Sequence, residues 1–330
     1  MKKKILHVLE MSRGQFVSGE ALAEAFKVSR AAIWKAVESL RREGHIISAA
    51  TNKGYRLEQS SDILTAEGIV ANLRRDSKIT RVICLAETDS TNNHAKKLAM
   101  TGEASHGTLI AANHQTAGRG RYGHNFDSPA GTGLYMSLVL RPDSDAEKFQ
   151  MITIADAVAV CLAIEELYPE SRGKLGIKWV NDVYFCGKKI SGILTEAVTG
   201  FESGEIESVI TGIGVNVSTR KFSSDAANIA GALFNGGIAP FGRDELCAKI
   251  ADRVMTFAEN LNDPTIITAY RERSILTGRD ITYMKDGMRR VAHVEGIDDS
   301  GGLVVVNDAG QKETLRSGEV SMIRTEEMTQ

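Results

Sequence analysis

Residues 115–124, QTAGRGRYGH, combine backbone freedom with positive charge. Gly118, Gly120 and Gly123 let main-chain N–H groups approach an anion, and the Arg119 and Arg121 guanidiniums match phosphate or carboxylate oxygens. The glycine spacing is G-x-G-x-x-G, which in a dinucleotide-binding turn follows a strand and opens a helix. A strand precedes it here, but the continuation HNFDSPAGTGLYMSLVL contains Pro129 and further turn residues before another strand. No helix can begin at Gly123, so the dinucleotide reading fails on context. A G-x-x-x-x-G-K-[ST] phosphate loop is absent as well. Taken alone, the stretch is as consistent with an exposed hairpin loop and solvated arginines as with an anion-binding loop.

Three further blocks could do chemistry alongside it. ETDSTNNHAK ends a strand and starts a helix, placing Ser90, Thr91 and Asn92 at a helix amino terminus. KWVNDVYFCGKKISGIL puts Lys178, Asn181 and Asp182 at a strand end, with Lys188, Lys189 and Gly192 across a hairpin. ITGIGVNVS reads as a buried strand in which Gly212 and Gly214 permit close approach, followed by Asn216. Neither G-x-S-x-G nor a persuasive Cys/His arrangement supplies a nucleophile. Lys189 read alone is as well explained by a surface hairpin.

These blocks need elements to hold them. Between residues 81 and 275, strands are expected at 82–87, 107–114, 133–140, 175–179, 190–199 and 208–217, and helices at 92–100 and 149–168, with further helix over 243–273. That order implies an α+β domain with a mixed sheet packed against helices. From about 279, short β segments separated by KDGM, DDSGG and NDAGQ suggest a small antiparallel barrel ending near Ile323, within a unit spanning 276–330.

The first 60 residues differ in kind. Ile5, Leu6 and Leu9 give one apolar helical face, Ser18 caps a second helix, and Ser29 caps a third carrying Ile33, Val37 and Leu40. HIISAATNKGYRL then reads as two strands around a turn, which completes a winged helix. The segment carries eleven Lys or Arg against six Glu, whereas the whole chain has a net charge of -2. Ser29, Arg30, Ala31, Trp34 and Lys35 face outward on the third helix for a major groove, and Lys53 and Arg56 on the wing are within reach of phosphate. The competing reading is a small oligomerisation domain with a solvated basic face. Residues 61–80 form a joint and a linker helix capped by Thr65.

At 330 residues, with 42% hydrophobic and 25% charged residues, the chain suits two or three ordinary soluble domains. It has no apolar run of bilayer length and no signal-peptide core, so a cytoplasmic location without membrane attachment is expected. Four scattered cysteines and seven unclustered histidines argue against structural zinc or a disulfide framework.

The set DSTN, GRGRYG, KWVNDV, KKISGIL and GIGVNV, in this order behind a winged helix, resembles the bifunctional biotin protein ligase and biotin operon repressor family. The resemblance covers essentially the whole chain, including RSGEVSMIR, which is similar to the family's carboxy-terminal SH3-like barrel. Two positions depart from it: Val180 stands where the family frequently has proline, and Phe126 where a tryptophan often occurs. The resemblance implies that biotin is activated by ATP with Mg²⁺ to biotinyl-5'-AMP and then passed to a lysine of a carboxylase's biotin carrier domain. It implies catalytic roles for Arg121, Lys178 and Lys189, and a biotin site of Ser90, Thr91, Asn92 and Gln115 completed by Gly118, Arg119, Gly120, Arg121 and Lys189. Asn181, Gly192 and Gly212 would belong to the same site, with Phe126 and Asn216 near the nucleotide. Asp182 would support Mg²⁺ or orient Lys178. A ligand-promoted homodimer would bind operator DNA. A biotin-sensing transcription factor without catalysis and a lipoate-type ligase remain as alternatives.

Overall fold

Side-chain caps set the helices of the winged domain. Helix α1 (Lys2–Met11) buries Ile5, Leu6 and Leu9. Ser18 Oγ accepts from the Glu20 and Ala21 amides at the start of α2 (Gly19–Ala25), and Ser29 Oγ accepts from the Ala32 amide at the start of α3 (Arg30–Arg42). The wing is the hairpin β1 (Ile47–Ala50) and β2 (Gly54–Leu57). Its core joins Leu22, Ile33, Val37, Leu40 and Leu57 to α1. The structure is a computed structural model that describes residues 1–141, 148–200, 204–224, 226–234 and 239–323; Arg324, at the end of RSGEVSMIR, and the rest of the tail lie outside the described residues.

Thr65 caps α4 (Ala66–Asn72), the expected linker helix, through a 3.0 Å bond to the Gly68 amide. The central domain follows with β3 (Arg81–Leu85), α5 (Thr91–Met100), β4 (Thr108–Ala112), β5 (Gly133–Leu140) and the long α6 (Lys148–Leu167). Next come β6 (Leu175–Lys178), β7 (Asp182–Phe185), β8 (Lys188–Thr199) and β9 (Ile206–Asn216), then α7 (Arg243–Glu259) and α8 (Pro264–Arg273). The seven strands form one mixed sheet of order β3-β4-β5-β9-β8-β7-β6, parallel only between β3 and β4. Strand β7 was not among the expected strands. Its four residues are too few to show a period, and it forms only as the middle of the β6-β7-β8 meander.

Helices α6 and α7 cover one face of the sheet, burying Ile154, Val158, Cys161, Leu246, Ile250 and Val254 against Leu134, Met136 and Ile213. Arg243, 1% exposed at the start of α7, is fixed by hydrogen bonds from its amide, Nε and Nη2 to Asp62 in the linker. Its Nη1 donates to the Gly133 carbonyl at the start of β5. One buried cation therefore joins linker, helix and central strand.

The C-terminal unit is a five-stranded antiparallel sheet: β10 (Asp280–Lys285), β11 (Met288–Ile297), β12 (Leu303–Asn307), β13 (Lys312–Leu315) and β14 (Val320–Met322), in the order β13-β12-β11-β10-β14. A bulge between Val294 and Gly296 bends β11. The sheet fits the expected SH3-like architecture, with no β13–β14 pairing among the described residues. It is anchored to the central domain where Trp179 Nε1 and Gln150 Nε2 both donate to the Gly301 carbonyl, at 2.9 and 2.6 Å.

Candidate active site

A cavity of about 690 Å³ opens at one end of the central sheet. Converging there are the amino terminus of α5, the glycine-arginine loop between β4 and β5, the β6-β7-β8 meander with the neighbouring β9, the segment that carries Phe222, Ser223, Ala226 and Ile229, and the turn 318–321 before and within β14.

The loop is not helical. Gly118 accepts from the Phe126 amide and Gly120 donates to the His124 carbonyl, so it folds back on itself around a single 3-10 turn, Arg121–Gly123. Tyr122 and Gly123 both have positive φ, 53° and 80°, which glycine adopts freely and tyrosine does not. The turn presents the Tyr122 hydroxyl to the C-terminal domain, where it accepts from the Gly318 amide at 3.0 Å. His124 Nε2 lies 3.1 Å from Glu319 Oε1 beside it.

Four cations line the cavity. Arg121 Nη1 donates to Asn181 Oδ1 at 3.2 Å and its guanidinium lies over the Tyr122 ring. Lys189 Nζ is 2.7 Å from Asp182 Oδ1, a close ion contact without hydrogen-bond direction. Asp182 thus pairs with Lys189 and also acts on the charge of Lys178. Lys178 is half-buried, and burial pushes its pKa down, aided by Lys189 and opposed by Asp182 and Glu319. Arg119 Nη1 donates to Asn93 Oδ1 at 2.6 Å, and its Nη2 donates to Glu196 Oε1 at 3.1 Å.

The polar wall at α5 is closely interlocked. Thr91 donates through both its amide and its hydroxyl to Gln115 Oε1, and Gln115 Nε2 donates to Ser128 Oγ. The Ser137 hydroxyl lies 2.7 Å from both Thr91 Oγ1 and Asn92 Oδ1. Asn92 Nδ2 donates to the Leu194 carbonyl and to Glu196 Oε2. Ser90, Thr91 and Asn92 are all buried.

The expected glycines divide by role. Gly192 pairs with Gly214 across β8 and β9, and a Cβ on Gly214 would strike the Phe126 ring at 2.6 Å. These two make a flat floor under Phe126. A Cβ on Gly212 would instead collide with Asn92 Oδ1, so Gly212 makes room for a protein side chain. Gly118 is buried against the Phe126 carbonyl and Ser128 and stands outside the cavity lining, unlike Gly120. Asn216 donates from Nδ2 to the Gly231 carbonyl, while its buried Oδ1 has no hydrogen-bond partner among the described residues.

Ser90, Thr91, Asn92, Gln115, Arg119, Gly120, Arg121, Phe126, Lys178, Asn181, Asp182, Lys189, Gly192, Gly212 and Asn216 are thus brought to one cavity from four separate blocks. Sequence reasoning passed over Glu196, Lys96, Ser137 and the turn 318–321. Glu196 lies two residues beyond KKISGIL, and a carboxylate in the second half of that strand was the available signal. Residues 318–321 lie within RSGEVSMIR, which was read as part of the carboxy-terminal barrel and not as part of the site. No group of three or more metal-ligating side chains occurs among the described residues.

Comparison with known proteins adds to this geometry. The Biotin/lipoate A/B protein ligase family model matches residues 84–216, an HTH domain model matches residues 2–56, and the Biotin protein ligase C terminal domain model matches residues 290–322. The bifunctional ligase/repressor BirA of Bacillus subtilis is 37% identical over 235 residues, covering 71% of this chain and 70% of its own length. The chain belongs to the bifunctional biotin ligase/repressor family. A second family member, the BirA of Salmonella typhimurium, is 29% identical over 320 residues and spans 94% of this chain and 95% of its own. Among solved structures, the Aquifex aeolicus biotin protein ligase in complex with biotin and ATP superposes with a TM-score of 0.61 at 27% identity, covering 74% of this chain and all of that one. The winged helix in front and the bent sheet behind accordingly fit the family's three-part architecture.

Outside the cavity, the winged domain presents Ser29, Arg30, Ala31, Trp34 and Lys35 on the exposed side of α3, with Trp34 53% exposed. The aromatic is therefore not part of the domain core. On the wing, Lys53 and Arg56 both lie over the Phe16 ring, and Arg56 is also paired with Glu58 at 2.9 Å. Of the two, Lys53 is the more available to a polyanion.

Proposed function

We infer that this protein is an ATP-dependent biotin protein ligase that also acts as a biotinyl-AMP-responsive repressor. The observation that carries the first half is the convergence of Arg119, Arg121, Lys178 and Lys189 on one cavity beside the Thr91–Gln115 wall. Biotin's carboxylate and the α-phosphate of ATP repel one another, and fixed cations offset that repulsion and stabilise charge on the transferring phosphoryl oxygens. The carboxylate attacks the α-phosphate, giving biotinyl-5'-AMP and pyrophosphate. A lysine amine of a carboxylase's biotin carrier domain then attacks the mixed anhydride, forming an amide and releasing AMP.

No protein nucleophile enters this scheme. Burial raises the Cys84 and Cys161 thiols to about 12 and the Cys247 thiol well above its ordinary value, which keeps all three protonated. Lys178 and Lys189 act on the phosphoryl oxygens, with Arg121 closing over them. Asn92 lines the cavity with its amide held by Leu194, Glu196 and Ser137, and braces Thr91 through the Ser137 hydroxyl that the two share. Asn216 Oδ1 is placed to accept from an amino group of the base, and Phe126 packs on the glycine floor beside it. Mg²⁺ would come with the ATP phosphates and offset their charge, with Asp182 the cavity carboxylate on hand to support it. Asp182 lies 2.7 Å from Lys189, so the two would meet that charge together.

The repressor half rests on the basic winged domain. The adenylate, by ordering the loop 116–128, favours a homodimer whose two winged helices read a palindromic operator. The dimer surface overlaps the carrier-docking surface, so demand for biotinylation relieves repression. All of this takes place in the cytoplasm, where ATP and the carrier are found.

Mixing the protein with biotin and Mg-ATP should release pyrophosphate, and a carrier domain added afterwards should gain the mass of one biotinyl group. Pyrophosphate release with lipoate but not with biotin would reassign the protein to lipoate transfer, and release with neither would leave a sensor. A mobility shift of operator DNA that requires biotin and ATP tests repression. A stable ternary complex of carrier and intact dimer would contradict the shared surface.

A further inference from the structure

Glu196 sits in the middle of β8, where it collects three donors from two other elements. Its Oε1 accepts from Lys96 Nζ at 2.5 Å and from Arg119 Nη2 at 3.1 Å, and its Oε2 accepts from Asn92 Nδ2 at 2.8 Å. The carboxylate is 15% exposed, against 43% for the Arg119 side chain. Burial alone would raise its pKa, but the bonds from Lys96 and Asn92 together with the charges of Lys96 and Arg119 outweigh burial and hold it below the ordinary carboxylate range, so it is an anion at neutral pH.

Lys96 and Asn92 are one helical turn apart on α5, so they approach Glu196 from the same face. Arg119 arrives from a glycine-flanked loop that has little else to fix its side chain. Among the described residues, its polar partners are Glu196 and Asn93, and Asn93 is itself held by Asp89 at 2.7 Å. A flexible arginine becomes a fixed one because a rigid strand and a rigid helix grip both ends of its guanidinium.

We propose that Glu196 is a positioning residue for the ligase reaction, holding Arg119 at the biotin-facing wall of the cavity. Lys96 is the standing counter-ion that keeps Glu196 charge-balanced without Arg119. The proposal rests on the reading of this cavity as the biotin-activating site.

Glu196→Gln keeps the shape and weakens the grip on Arg119. Relative to wild type it should raise the KM for biotin and speed loss of biotinyl-AMP, each about tenfold, the loss expected for one charge-assisted hydrogen bond. The KM for ATP and the melting temperature should change little. In an Arg119→Ala background, adding Glu196→Gln should alter either quantity by less than about twofold, because the effect passes through Arg119.

Equal tenfold effects with and without Arg119 would overturn the proposal, as would unchanged biotin KM and adenylate release in Glu196→Gln. Failure of that variant to fold would overturn it too, since a residue acting through an exposed arginine is not required by the core. If wild-type protein releases no pyrophosphate with biotin and Mg-ATP, the ligase reading itself fails, which is a separate and prior result.

Discussion

Arg13, in the turn after α1, reaches across the domain boundary to Asp244 at the start of α7, with Nη2 2.9 Å from Oδ2. The same guanidinium takes Glu10 Oε2 at 2.5 Å, and its Nη1 donates to the Ser61 carbonyl. The Glu10 and Asp244 side chains are 0% and 3% exposed. One cation thus serves two buried carboxylates where the winged domain meets the ligase domain.

Arg13→Met leaves both carboxylates buried without a cation. It should cost about 3 kcal/mol of stability at pH 8, and less at pH 5 where they can protonate. Chemical denaturation at the two pH values measures this. A loss below about 1 kcal/mol at pH 8 would mean the junction contributes little.

Burial and Asp244 raise the Glu10 carboxyl from 4.5 to about 7, more than Arg13 lowers it. A carboxyl raised on folding binds an extra proton in the folded state between its two values, so its contribution to stability falls as pH rises through that window. Asp156, buried beside Thr211 and also raised to about 7, acts in the same direction. His45, lowered by burial, opposes them below its ordinary value of 6.5. Glu10→Gln should therefore be more stable than wild type at pH 8, by at least about 2 °C in Tm, and equal to it near pH 4.5. Parallel stability curves for the two proteins would contradict this.

Among the described residues, the Arg121 side chain donates to Asn181 and Tyr122 alone and supports no core. Arg121→Ala should speed loss of biotinyl-AMP by about a hundredfold, with Tm within a degree or two. Unchanged release with a lowered Tm would give Arg121 a structural role instead.

Lys189→Met strips the counter-ion from Asp182 and one cation from the reacting phosphoryl group. Adenylate formation should slow by about two to three orders of magnitude in single-turnover measurements. Transfer of pre-formed adenylate to the carrier should be much less affected, since that step brings no new phosphate charge together.

Trp34→Ala should weaken operator binding about tenfold while leaving biotin transfer unchanged, because the ring lies on the exposed side of α3, far along the chain from the cavity. Lys53→Ala should weaken binding to any duplex and reduce the salt dependence by about one ion. Equal losses on operator and random DNA for Trp34→Ala would make it a backbone contact.

What could be foreseen from the chain was whatever is encoded locally. Ser18, Ser29 and Thr65 announce helix starts through their own side chains, and all three cap as expected. The central strands were legible from hydrophobic runs, the short β6 included, whereas β7 needed neighbours on both sides to form. In the cavity, the cations were legible because they cluster in short motifs. The Lys189–Asp182 pairing was not, since which lysine turns to a carboxylate depends on hairpin register. Glu196, with partners 77 and 100 residues away, and the reach of residues 318–321 to Tyr122 are set by tertiary contact alone. Gly212 shows the same limit: its freedom was evident, but whether it yields to a ligand or to Asn92 was not.

Arg243 carries a consequence for how this architecture can be taken apart. Its guanidinium is satisfied by Asp62 on one side and by Gly133 on the other. A ligase severed downstream of Asp62 would strand that charge in its own interior, whereas one severed at residue 60 would keep the salt link whole. The DNA-reading head can therefore be exchanged between relatives as a cassette only if the short acidic collar behind it stays with the enzyme. Any lineage that sheds repression while keeping catalysis must either retain that collar or replace the arginine in the same step.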